Sequence, residues 1–150
     1  MITRGDRSLP LVYSCPRCST AARMANFLAQ RLDREGMAES QCIAGVGAGV
    51  PNLLEAARSG RPILALEGCP LQCVSRCLRE RGIEPDAQVV LSEHGVKKRY
   101  HANFDEAEAE AMVARLRPIV ARLYSQAAAK SIEPRGWERH GVASGKLRGE

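Results

Sequence analysis

Two spacings of apolar residues alternate along the chain. Short apolar runs occur at Leu9–Ser14, Ser40–Ala44, Pro62–Leu66 and Gln88–Ser92. Runs of this length, bounded by Gly and Pro, suit buried strands, and the last is rich in β-branched residues. Between the first two, apolar residues at Ala21, Ala22, Met24, Ala25, Phe27, Leu28 and Leu32 keep helical spacing. Ser19 is a fair N-cap for that helix, and Gly36 ends it just after Arg31 and Arg34. A second helix is predicted from about Asn52 to Ser59, before Gly60. A third opens at Cys69-Pro70, where a first-turn proline costs nothing, and ends near Gly82. A fourth, capped by Asp105, runs to about Tyr124, with Pro118 expected to kink it. Gly45–Gly49 and residues 93–103 read as loops.

This β-α-β-α-β-α-β-α alternation predicts an α/β fold: a four-stranded parallel sheet with helices on both faces and right-handed crossovers. The expected strand order is 2-1-3-4, flavodoxin/Rossmann-like, which opens a crevice at the C-terminal ends of strands 1 and 3. Periodicity is lost after Tyr124. Residues 1–124 are therefore expected to form one cysteine-rich α/β domain. Residues 125–150 are expected to be a loosely ordered basic tail, with Trp137 as its candidate anchor.

Composition narrows the function classes. A chain 45% hydrophobic and only 4% aromatic must build an aliphatic core. Apolar runs stay far short of the roughly 20 residues that span a bilayer, so no membrane role is expected. MITRGDRSLP lacks the apolar stretch of a secretion signal. A cytoplasmic location is expected from this, and with it metal-binding or catalytic cysteines in preference to disulfides. The net charge of +5 is spread over helices of mixed sign, without a basic stripe interleaved with aromatics, so nucleic acid is not an expected partner.

The chemistry lies in six cysteines. Cys15 and Cys18 follow strand 1, Cys42 ends strand 2, and Cys69 follows strand 3, with Cys73 and Cys77 further along the same segment. All of these strand ends point the same way in a parallel sheet, and neighbouring strands lie ~5 Å apart. Sulfurs distant in sequence therefore meet at one edge. Cys-x2-Cys is a common zinc half-site. Cys69 and Cys73, at i and i+4 of the predicted helix, share a face near its N-terminus, where the dipole favours thiolate. Cys77 lies ~12 Å from Cys69 along a regular helix, too far to share an ion, and is expected in the packing. His94, just after strand 4, is near enough to be a further ligand candidate; His101 and His140 are expected in solvent.

Other motifs explain less. Cys15-Pro16-Arg17-Cys18 is similar to a thioredoxin-type redox motif, but the pattern lacks that fold's terminal hairpin and leaves four cysteines unexplained. Gly45-x-Gly47-x-Gly49 has the wrong third spacing for a dinucleotide loop. Cys73 to Arg79 has phosphatase-like spacing inside a predicted helix, where no phosphate cradle forms.

Three segments in order carry a family resemblance. They are Cys42-Ile43-Ala44-Gly45-Val46-Gly47-Ala48-Gly49-Val50-Pro51, Glu67-Gly68-Cys69-Pro70-Leu71-x-Cys73, and Val90-Leu91-Ser92-x-x-Gly95-Val96-Lys97-Lys98. They closely resemble the DGC-motif family of zinc-binding proteins, over about residues 11–125. The resemblance implies a small α/β domain and metal binding through Cys18 (or Cys15), Cys42, Cys69 and Cys73. It implies no particular reaction. One departure is that Glu67 stands where the family triplet has aspartate.

The expected function is thus metal binding, with Zn2+ on a set drawn from Cys15, Cys18, Cys42, Cys69 and Cys73, in a structural, sensing or metal-handling role. Two alternatives use the same residues. One is a thiol-disulfide or sulfur-transfer enzyme with a low-pKa cysteine. The other is an iron–sulfur protein, since four thiolates also suit a cluster.

Overall fold

The computed structural model describes residues 8–16 and 18–132. Its strands are β1 (Leu11–Ser14), β2 (Glu39–Gln41), β3 (Ile63–Glu67) and β4 (Ala87–Val90). They form one all-parallel sheet in the order β2-β1-β3-β4. That is the order expected from the alternation. β3 is buried at all five positions, as a central strand covered on both faces must be. Its near-continuous apolar sequence has this cause.

The helices are α1 (Thr20–Arg34), α2 (Ile43–Ala48), α3 (Pro51–Ala57), α4 (Cys73–Glu80) and α5 (Glu106–Ile132). α1 and α5 pack together on the sheet, joined at the surface by the Arg31–Glu110 ion pair at 2.8 Å. α2 packs on α3 and α4, and α4 lies against β3. The core runs from Leu11, Val12 and Tyr13 through Leu28, Leu64, Leu66 and Leu78 to Leu116 and Val120.

The second strand is displaced from its predicted position. β2 covers Glu39–Gln41 instead of Ser40–Ala44, because Cys42 is already the N-cap of α2. The glycine-rich segment read as a loop is that helix. Gly45 answers to tertiary packing, since a Cβ there would overlap the Leu53 side chain, whereas one on Gly47 would make only an ordinary contact, 3.5 Å from Cys77 Sγ. Gly49 ends α2 in the left-handed region, φ 77°. The Arg81 guanidinium donates to the Val46 and Gly47 carbonyls at that end. A cation there also suits the helix dipole.

α5 continues to Ile132, past the end expected at Tyr124, and carries Pro118 within it. The rest of the predicted tail, including Trp137 and His140, lies outside the described residues. Among the described residues no helix is long and apolar enough to cross a membrane.

Candidate metal centre

β1 and β3 are adjacent and parallel, with Ser14 opposite Leu66, so the segments that follow them leave the sheet side by side. The Cys15 amide donates to Leu66 O at 3.1 Å, carrying the ladder one residue beyond β1. Cys15 itself is buried, and the Gly68 backbone N–H bonds its sulfur. Gly68 has no room for a side chain: a Cβ would sit 2.8 Å from Ala22 N and 2.9 Å from the Ala21 carbonyl carbon. The start of α1, capped by Ser19 Oγ accepting from Ala22 N at 3.2 Å, closes directly on the end of β3.

Glu67, the last residue of β3, is 1% exposed. Its Oε2 accepts from Val74 N at 3.1 Å and its Oε1 from Ser75 N at 2.7 Å. A carboxylate thus caps the first turn of α4, satisfying two amides that have no partner within the helix. This corrects the predicted helix start. Cys69-Pro70-Leu71-Gln72 forms a turn, closed by Gln72 N donating to Cys69 O at 3.2 Å, with Gln72 left-handed at φ 52°. α4 begins only at Cys73. Cys69 is therefore buried in the turn while Cys73 is exposed at the helix start, and the two do not share a helical face.

The thiols act on one another. Burial pushes the Cys15 thiol up to about 11; the Gly68 N–H opposes this, and Cys73, Cys18 and Glu67 add to it. Cys73 is also raised, first by desolvation, then by Glu67, Cys69, Cys18 and Cys77. Cys15, Cys18, Cys69 and Cys73 form one electrostatic cluster beside a buried carboxylate. Their neighbours oppose ionisation of Cys15 and Cys73, and a cation among them would reverse that penalty. Lys98 already brings one: its Nζ lies 3.6 Å from Cys69 Sγ.

The remaining candidates stand elsewhere. Cys42, exposed at the start of α2, acts on the buried Tyr13 hydroxyl together with Arg61 and Glu39. It is not among the groups that shift Cys15 or Cys73. Cys77 is half-buried between α4 and Gly47, in the packing as expected. The exposed His94 ring lies 3.1 Å from the Arg115 guanidinium of α5, by its Nδ1. His101 is exposed, with φ 56°.

By chemistry, four sulfurs fit a soft ion, with Cys15 and Cys69 buried and Cys18 and Cys73 open to its entry. By position they stop short of a closed set: among the described residues no three His, Cys, Asp or Glu side chains are grouped tightly enough to hold a metal. Enclosing one ion thus requires side-chain movement. The helix-capping role of Glu67 and the Lys98 contact were not legible in the sequence. Their only trace there was membership of the two motifs.

Comparison with known proteins gives an independent view. Residues 11–116 match the DGC domain, a span from β1 into the first part of α5. The chain is also 52% identical over 115 residues to the anaerobic and virulence modulator AnvM of Pseudomonas aeruginosa, covering 77% of this chain and 88% of that relative. No solved structure matches. The matched residues include the whole sheet and Cys15, Cys18, Cys69 and Cys73, and the chain belongs to the DGC domain family.

Proposed function

We propose that this protein binds a soft metal ion, Zn2+, through Cys15, Cys18, Cys69 and Cys73, and uses the site for sensing or metal handling. The observation that carries this reading is the cluster itself. Four thiols follow two adjacent strands, and Cys15 and Cys73 are held protonated first by burial and then by neighbouring thiols and the buried Glu67 carboxylate. When bound, Zn2+ supplies a cross-link between the segments after β1 and β3. The chain's own residues do the rest: Gly68 N–H orients Cys15, Glu67 holds the α4 start that carries Cys73, and Ser19 fixes the α1 start behind Cys18. Cys42 enters as an additional candidate ligand, set apart by its place beside Tyr13.

The raised thiols weigh against a low-pKa nucleophile at Cys15 or Cys73, since the reactive form is the thiolate. The relative's name, anaerobic and virulence modulator, is compatible with a sensing role. It also favours one second reading, an iron–sulfur cluster on the same thiolates, as an oxygen-labile site would suit anaerobic control.

Elemental analysis of anaerobically purified protein separates these readings. One equivalent of zinc, lost in Cys69→Ser and Cys15→Ser but retained in Cys77→Ser, supports the proposal. Iron with visible absorbance supports the second reading. Protein without stoichiometric metal defeats both. Cys42→Ser decides whether that thiol belongs to the set.

A further inference from the structure

Lys98 is held in place by its neighbours on both sides. Thr20 Oγ1 donates to the Lys97 carbonyl at 2.9 Å and accepts from the Arg99 amide at 2.9 Å. Thr20 N in turn donates to Arg99 O at 2.9 Å. The backbone bracketing Lys98 is thus fastened to the first residue of α1, immediately after Cys18-Ser19. Lys97 and Arg99 project into solvent, whereas Lys98 is half-buried, with its Nζ on the buried Cys69 sulfur and 5.4 Å from the Tyr100 ring centre.

An ammonium is attracted to a thiolate and can donate a hydrogen bond to it, and the Lys98 Nζ stands 3.6 Å from Cys69 Sγ, close enough to act on that sulfur. Four thiolates around one divalent ion leave two net negative charges, and the Glu67 carboxylate adds another nearby. The α4 amides that face this charge, Val74 N and Ser75 N, are already taken by Glu67. Lys98 remains as a cation aimed at the cluster.

We infer that Lys98 is a positioning residue of the metal centre: acting through Cys69, its ammonium offsets the negative charge of the metal-bound thiolates and orients that sulfur. The inference rests on the metal-binding reading proposed above. Groups that bond a metal ligand in this way commonly change affinity by about 10-fold or more when removed. A neutral side chain of similar length should therefore weaken binding, and a cationic one should restore it.

The test is the Zn2+ dissociation constant of the full chain, measured anaerobically by competition with a chromophoric chelator, for wild type, Lys98→Met and Lys98→Arg. Lys98→Met is expected to bind Zn2+ about 10-fold more weakly. Lys98→Arg is expected within about threefold of wild type, and the metal-free melting temperatures of all three should coincide. Replacing Zn2+ by Co2+ gives a second readout, a shift of the sulfur-to-cobalt absorption in Lys98→Met but not in Lys98→Arg. If Lys98→Met binds within twofold of wild type, or Lys98→Arg is as weak as Lys98→Met, the inference fails while the metal site stands. A wild-type protein that takes up no Zn2+ defeats both.

Discussion

The sharpest structural prediction concerns Glu67. Replacing it with Gln keeps the shape but changes the cap. The carboxylate accepts from two amides, Val74 N and Ser75 N, whereas an amide side chain offers one oxygen and turns an NH2 toward the other N–H. A hydrogen bond to a charged group contributes about 1.5–3 kcal/mol, and an unsatisfied buried amide costs a similar amount. Because Glu67 is 1% exposed, water cannot replace the lost bond. Glu67→Gln should therefore destabilise the metal-free protein by about 2–3 kcal/mol. For a chain of this size that corresponds to a melting temperature lower by about 4–12 °C. Glu67→Asp keeps the charge and should cost less. Glu67 also raises the Cys73 thiol, so Glu67→Gln should shift the pH midpoint of Cys73 alkylation downward. Urea unfolding followed by circular dichroism measures the first effect, and pH-dependent alkylation with mass spectrometry the second. A Glu67→Gln variant within 0.5 kcal/mol of wild type at unchanged m-value would refute the capping account, and an upward thiol shift would refute the electrostatic one.

Three further outcomes follow from the same geometry. Gly68→Ala forces a Cβ against the Ala21–Ala22 backbone and should cost about 1–3 kcal/mol, read as a lower urea midpoint; an unchanged midpoint would mean α1 is free to move off β3. Cys15, raised from 9.0 to about 11, favours the folded state while protonated, so its contribution is complete below pH 9 and lost as pH rises toward 11. That loss is up to about 3 kcal/mol, and Cys15→Ala should flatten the decline of unfolding free energy between pH 9 and 11. Arg81→Ala removes the donor to Val46 O and Gly47 O, and hydrogen exchange of the α2 amides should accelerate about 5- to 10-fold relative to α1, with no change at β3.

The fold was largely legible because its strongest signals are local. β3 is an unbroken apolar run, α1 is amphipathic over fifteen residues between Ser19 and the Arg31–Arg34 end, and strict alternation of short runs with helices admits few topologies. Parallel geometry then brings the segments after β1 and β3 side by side, and strand order is what led Cys15, Cys18, Cys42, Cys69 and Cys73 to be expected at one edge.

What the sequence by itself determined, then, is the sheet order and the edge at which the segments after β1 and β3 emerge, because hydrophobic spacing and chain direction are properties of each segment. Tertiary structure decided the rest. Gly45 sits in a helix with the Leu53 side chain filling the space a Cβ would take, a contact no short window around residue 45 reveals. Gln72 turns left-handed, and α4 starts at Cys73 instead of Cys69, because a carboxylate from the preceding strand caps Val74 and Ser75. Cys42 stands at the start of α2 and Lys98 reaches Cys69 because β2 ends early and Thr20 anchors the distant 97–99 segment. Contacts between residues far apart in sequence fix which atoms share a site, and those contacts exist only once the sheet and helices have packed.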